Sequence, residues 1–63
     1  MDPTSNLLEQ LALARDFIDF IDSDGVDYVG MVDKGVRLAE LVQSLDSWIK
    51  NGGGLPQQWR DRP

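Results

Sequence analysis

Apolar residues in the first third of the chain recur at helical spacing. One row has intervals of four, three, four and three residues, which is one face of a helix. Its members are Leu7, Leu11, Ala14, Ile18 and Ile21. A second row of the same period, Leu13, Phe17 and Phe20, lies beside it. Together they cover about half the circumference, which is more than a seam with one other helix requires.

These rows predict a helix from about residue 6 to 22. Asn6 followed three residues later by Glu9 resembles a capping box, so Asn6 is the preferred start. The alternative start places Asp2 at the cap and Pro3 at the first helical position.

Asp22, Ser23, Asp24 and Gly25 are typical turn residues and predict a break at about 23–27. A second helix is expected from about 28 to 51, capped by Asp24 or Asp27. Its apolar face consists of Met31, Leu38, Leu41, Val42, Leu45, Trp48 and Ile49. Gly35 shares this face, where a missing side chain would let another backbone approach closely. Val32 and Val36 point well off it.

The run Asn51 to Gly54 ends this helix, with Gly52 as the natural left-handed cap. In the tail, 52–63, Leu55 and Trp59 are expected to pack near Trp48 or Ile49, and residues 60–63 to fray. The sequence thus predicts one all-α domain over 1–63, an antiparallel two-helix hairpin with the Gly/Pro/Trp tail packed back on it.

Sixty-three residues bury only a modest core. Two helices cannot easily cover both rows of the first helix, the two off-face valines and two tryptophans. Either two chains form a four-helix bundle, or a permanent partner covers the excess, or the tail seals a monomer. The pattern leaves these arrangements open.

The composition excludes several kinds of chemistry. Cysteine and histidine are absent, so disulfides, thiolate or imidazole metal sites and the usual neutral-pH base are excluded. The serines therefore lack an activating base. We expect no enzyme activity, no catalytic residue, no cofactor and no metal site. The chain also lacks a signal peptide and an apolar segment of about 20 residues, which favours a cytoplasmic protein away from membranes.

The net charge of −5 is unevenly distributed. Six acids and no base lie between residues 16 and 33, which argues against direct nucleic-acid binding. This acidic surface comprises Asp16, Asp19, Asp22, Asp24, Asp27 and Asp33.

Part of the acidic run resembles a calcium loop, with Asp22 and Asp24 at loop positions 3 and 5 and Gly25 at position 6. Positions 1 and 12 then fall on Phe20 and Met31, which cannot ligate a cation. A solvated acidic turn is the preferred interpretation.

The second helix and the tail carry a longer motif. Leu45-Asp46-Ser47-Trp48-Ile49, then Gly52-Gly53-Gly54-Leu55-Pro56 and Trp59, resembles the ending LDxW(L/I)xxGGxLPxxW of small helical accessory proteins of actinobacterial phages. Gly54 departs from the group, where a larger residue, often Phe, is common, and residues 24–35 have no clear counterpart. The resemblance implies a helical accessory protein made in an infected bacterium. It implies no activity and no functional residues.

Three functions fit these features. The leading hypothesis is a protein-interaction module that binds a host or phage protein through Phe20, Val32, Val36 and Trp59. The second is an acidic nucleic-acid mimic that blocks a DNA-binding protein through the acidic surface. The third is a structural oligomer or scaffold component.

Overall fold

The computed structural model describes residues 1–22 and 28–60, and this part of the chain is helical without strands. Two long helices, α1 (Pro3–Asp22) and α2 (Tyr28–Lys50), pack together. A single helical turn, α3 (Gln57–Arg60), follows near the C-terminus. The predicted turn at 23–27, with Asp24 and Asp27 as candidate caps, lies outside the described residues, as do residues 61–63.

Helix α1 begins at Pro3, so the preferred start at Asn6 is wrong and the alternative is confirmed. Asp2 is the cap: its side chain accepts a hydrogen bond from the Thr4 N–H at 3.0 Å and another from the Ser5 hydroxyl at 2.7 Å. Pro3 takes the first helical position, where its missing N–H costs nothing. Asn6 therefore does not cap α1 but lies within it.

Side-chain contacts between α1 and α2 run in opposite residue order. Glu9 pairs with Arg37, and Asp16 pairs with Lys34. Near the start of α1, the Asn6 amide donates a hydrogen bond to the Leu41 carbonyl at 3.1 Å. At Gly35, an added Cβ would come within 3.3 Å of Phe17 Cζ. The close neighbour at Gly35 is therefore the Phe17 side chain, not the backbone that the sequence led us to expect.

Of the two apolar rows of α1, the shorter one, with Phe17, packs against α2. Leu11, Ile18 and Ile21 are exposed, and of that row only Leu7 is buried. Phe17, from the shorter row, is the residue that meets Gly35. A large aromatic ring opposite a glycine fills the seam between the helices, so Phe17 packs inward, whereas Leu11, Ile18 and Ile21 of the longer row face outward.

Helix α2 ends in a Schellman motif. The Gly53 N–H donates to the Trp48 carbonyl at 2.8 Å, and the Gly52 N–H donates to the Ile49 carbonyl at 3.1 Å. Gly52 has φ 89°, which confirms the predicted left-handed cap. The Trp48 indole N–H donates to the Gly54 carbonyl at 2.9 Å, so the ring lies along the glycine run.

Hydrogen bonds join α3 to the first turn of α1. The Gln57 N–H donates to Thr4 Oγ1 at 2.9 Å, and Gln58 Nε2 donates to the Thr4 carbonyl at 3.2 Å. Pro56, just before α3, is fully buried, whereas Leu55 is 43% exposed.

Little of the apolar surface is buried. Among the described residues, the buried hydrophobic core is Leu7, Leu41 and Leu45, and Asn6 is the buried polar residue. Twelve large hydrophobic residues are exposed in the same part of the chain. The Cα atoms span 40 × 26 × 13 Å, a flat shape in which two helices side by side leave their outer faces open.

Candidate protein-interaction surface

An open groove runs along the outer face of α1. Its walls come from Leu11, Ala14, Arg15, Ile18 and Asp19. Leu11 and Ile18 are seven residues apart, so their side chains lie one above the other about 10 Å apart. Their exposed fractions are 56% and 60%. The groove therefore presents two large aliphatic side chains to solvent, with the small Ala14 between them.

A cleft of about 310 Å³ lies near the start of α1, between α2 and α3. Val42, Leu45, Ile49 and Trp59 form its apolar walls. Gln10 and Asp46 supply polar groups. Gln10 follows Asn6 by one helical turn, and its amide donates to Asn6 Oδ1 at 2.6 Å, which fixes the side chain at the cleft wall. The cleft is about large enough for one side chain of a partner.

Three cationic side chains in the described segments each form an ion pair with an acid. Lys34 Nζ lies 2.9 Å from Asp16, Arg37 Nε lies 2.8 Å from Glu9, and Lys50 Nζ lies 2.8 Å from Asp46. The hydrogen bonds from Arg37 lower the pKa of the Glu9 carboxyl, and the one to Asp46 raises the pKa of Lys50. All three pairs are solvent-accessible and contribute little to stability.

Other acids keep an uncompensated charge. Asp19, Asp22 and Asp33 are exposed and form no ion pair with another described residue. Asp19 lines the α1 groove, and Asp22 follows it by three residues on the adjoining side of the helix. The groove is therefore lined by one acid and one base, Asp19 and Arg15, and Asp22 is not among its lining residues.

The four residues predicted to bind a partner do not form one patch. Phe20 is half-buried, and its ring meets that of Tyr28 edge-on, with centroids 5.5 Å apart. Val32 and Val36 are exposed on the first half of α2. Trp59 borders the cleft with Ile49, and Ile49 is thirteen residues beyond Val36, about 20 Å along the helix.

The predicted acidic surface is likewise divided. Asp16 is neutralised by Lys34, whereas Asp19, Asp22 and Asp33 are exposed. Asp24 and Asp27, and with them residues 23–27 of the calcium-like loop, lie outside the described residues. Within the described ranges, no group of three or more His, Cys, Asp or Glu side chains could hold a metal ion.

Sequence reasoning placed Leu11, Ile18 and Val42 on the apolar faces of the helices and did not name them among the partner-binding residues. The available signal was the width of the apolar arc on α1, which exceeded what one neighbouring helix can cover. No helix among residues 1–22 and 28–60 combines the length and apolarity needed to cross a membrane.

Comparison with known proteins returns no relative. No family model matches the chain, and no match is found among curated proteins or solved structures.

Proposed function

We propose that this chain is a small protein-interaction module. The observation that supports the proposal is the imbalance between its core and its surface. Three hydrophobic residues are buried among the described residues, while twelve large ones are exposed. Scattered exposed side chains are ordinary, but aliphatic residues aligned along one helix face favour a binding surface.

In this proposal the chain is an antiparallel hairpin with its tail folded back. The opposite residue order of the contacts between α1 and α2 supports the hairpin. The two hydrogen bonds to Thr4 support the folded-back tail. The tail would seal one end of the hairpin, and a partner would cover the rest. A dimer forming a four-helix bundle is the competing arrangement.

The motif shared with small actinobacterial phage proteins suggests where the partner occurs. We propose an accessory protein that acts in the cytoplasm of an infected bacterium and binds a host or phage protein. The exposed Val32, Val36 and Trp59 and the half-buried Phe20 are candidate contacts, and they lie in separate areas of the surface.

The nucleic-acid mimic has weaker support. A mimic needs a row of free carboxylates at phosphate-like spacing, and Lys34 neutralises Asp16, which begins the row. Binding by a mimic would fall steeply with salt. Binding through mainly apolar contacts would depend little on the salt concentration.

Capture from a bacterial lysate tests the proposal. The wild-type chain should retain a specific protein, and Trp59→Ala together with Val36→Ser should weaken that retention. Both residues are exposed, so circular dichroism should show an unchanged helix content. If neither form retains any specific protein, or if light scattering shows an oligomer of the wild-type chain that the double variant does not form, the interaction-module proposal is wrong. The second outcome would favour the structural oligomer.

A further inference from the structure

We propose that residues 55–60 form a strap that opens and closes at the cleft while α1 and α2 stay paired, and that Thr4 holds it closed. The strap consists of Leu55, Pro56 and α3. The inference goes beyond the proposed function and concerns the free chain, so it does not depend on whether a partner binds. It is argued from how the strap is attached, what it buries and what it leaves unpaired.

Two hydrogen bonds from the strap to α1 converge on Thr4. The Gln57 N–H donates to Thr4 Oγ1 at 2.9 Å, and Gln58 Nε2 donates to the Thr4 carbonyl at 3.2 Å. Thr4 itself belongs to the capped first turn of α1, because its own N–H donates to Asp2 Oδ1 at 3.0 Å. Breaking the two bonds from the strap would therefore release the start of α3 and leave the cap of α1 in place.

The chain is fixed as far as Gly54, so the strap can pivot just after this residue. The Schellman bonds hold Gly52 and Gly53 against the end of α2, and the Trp48 indole N–H donates to the Gly54 carbonyl at 2.9 Å. Leu55, the first residue of the strap, is 43% exposed and gives little anchorage. A helix of four residues is not stable alone, so α3 depends on its docking contacts.

The closed strap leaves one buried polar atom unsatisfied. Gln58 Oε1 is buried without a hydrogen-bond partner among the described residues. This acceptor becomes hydrated when the strap opens, which offsets part of the loss of the bonds to Thr4. Pro56 acts in the other direction, because its side chain is fully buried while the strap is closed. These opposing contributions reduce the free-energy difference between the closed and the open form.

The contacts that pair α1 with α2 lie outside the strap. Phe17 packs against Gly35 in the seam between the helices. Nearer the start of α1, the Asn6 amide donates to the Leu41 carbonyl at 3.1 Å. None of these four residues belongs to the strap, so the two helices can stay paired while it opens.

Opening would change the apolar surface at the cleft. Trp59 forms one wall of the cleft, and Val42, Leu45 and Ile49 form the others. In the open form the Trp59 wall is removed, and Pro56 exposes both its own surface and the surface that it covers. The strap thereby switches this end of the helix pair between a form that covers apolar surface and a form that offers it.

Native-state hydrogen exchange of the full chain tests the inference, measured by ¹⁵N–¹H NMR over a series of low urea concentrations. The Trp59 N–H donates to the Pro56 carbonyl at 3.0 Å and reports on the strap, while the Leu45 N–H reports on α2. We expect protection at Trp59 to be lower than at Leu45 by about tenfold or more. It should also be nearly independent of urea, because a local opening exposes little surface, whereas protection at Leu45 should fall steeply.

Two neighbouring hydroxyl groups provide a matched pair of variants. Thr4→Val keeps the shape of the side chain but removes the acceptor of the Gln57 N–H, so protection at Trp59 should fall about tenfold. The Trp59 N–H has a different acceptor, so this loss would show that the strap moves as a unit. The Ser5 hydroxyl donates to Asp2 within α1, and Ser5→Ala should leave protection at Trp59 unchanged.

Phe17→Leu separates the strap from the helix pair. Phe17 packs against Gly35 and lies about 20 Å along α1 from Thr4. The smaller side chain should lower protection at Leu45 about tenfold, because it weakens the seam between the helices. Protection at Trp59 should stay at its wild-type level, because opening of the strap does not require the helices to separate.

Four results would overturn the inference. Equal protection and equal urea dependence at Trp59 and Leu45 would mean that the strap and the helices open together, and an equal loss at both in Phe17→Leu would mean the same. Absence of protection at Trp59 in the wild-type chain would mean that the strap is not closed. A Thr4→Val effect no larger than that of Ser5→Ala would exclude Thr4 as the holding residue. None of these results bears on capture of a partner, which tests the interaction-module proposal separately.

Discussion

The two ends of the helix pair differ in how completely their apolar residues are covered. At the end near α3, which we call the closed end, Leu7, Leu41, Leu45 and Pro56 are buried together with Asn6. At the other end, the open end, Ile18, Ile21, Tyr28, Val29 and Val32 are exposed. Both ends are rich in apolar residues. The difference is that α3 lies at one of them, because two adjacent helices cannot enclose a core without a third element.

The largest expected effect is loss of a core side chain at the closed end. Leu45 is 4% exposed, and Leu45→Ala should cost about 2–5 kcal/mol. A chain of this size has a total stability of only about 3–5 kcal/mol, so much of the population should unfold. Urea denaturation followed by circular dichroism measures this change.

Ile21→Ala is the control at the open end. Ile21 is 71% exposed, so the change should stay within about 0.5 kcal/mol. A similar loss in both variants would mean that the open end is covered in solution and that the two ends do not differ.

Loss of the polar contact between Asn6 and Gln10 at the closed end should destabilise the chain less than loss of the Leu45 side chain. Asn6 donates to the Leu41 carbonyl and accepts from Gln10, and Asn6→Ala removes both bonds. We expect a cost of about 1–3 kcal/mol, because both bonds are at least partly buried and Gln10 keeps only its longer bond to the Leu41 carbonyl, at 3.5 Å. Thermal unfolding measures it. An unchanged midpoint would show that the pair contributes nothing to the closed end.

The glycine run permits a sharper comparison. At Gly53 an added Cβ would collide with the Trp48 indole ring, whereas at Gly54 it would meet nothing within 4 Å. Gly53→Ala should displace the ring and cost about 1–3 kcal/mol. Gly54→Ala should be nearly neutral. Near-UV circular dichroism of the tryptophans should change in the first variant and not in the second; equal spectra would contradict the close packing of Trp48 on Gly53.

The smallest expected effect is that of pH. Hydrogen bonds from Arg37 lower the pKa of Glu9, and the Ser5 hydroxyl lowers that of Asp2. A carboxyl with a depressed pKa in the folded state stabilises the fold above its unfolded value, about 4, and loses this contribution as the pH falls through its folded value.

The urea midpoint should therefore fall slightly on acidification below about pH 4. Glu9→Gln should reduce this dependence, whereas the same slope in the variant would exclude the Glu9–Arg37 pair as a cause. The contribution of Lys50 to stability changes at alkaline rather than acidic pH. Its pKa is raised, so its contribution is present below its unfolded value of about 10.4 and is lost at higher pH.

The sequence predicts the helices better than their packing. Apolar spacing, Gly52 and Gly35 are local signals, and each identifies a feature that the structure contains. The start of α1 was misplaced because Asn6 with Glu9 and Asp2 with Pro3 are both acceptable caps. Which pair caps the helix depends on Asn6 having a distant partner, the Leu41 carbonyl, and no local pattern shows this.

The candidate site was harder to predict for a related reason. Periodicity shows that α1 has two apolar rows but not which of them faces α2. That choice depends on the fit of Phe17 against Gly35, eighteen residues away. The sequence therefore placed Leu11 and Ile18 on an apolar face without showing whether α2 covers that face, and the groove that they line could be recognised only once the pairing of the helices was known.

The positions of the two tryptophans have a consequence for spectroscopy. Trp48 and Trp59 both report on the end joined to α3, while the Tyr28 ring beside Phe20 reports on the opposite end. Indole and phenol absorb at different wavelengths. One unlabelled sample therefore carries separate optical probes of its two ends, and coincidence of their melting curves would show whether the chain unfolds as a single cooperative unit.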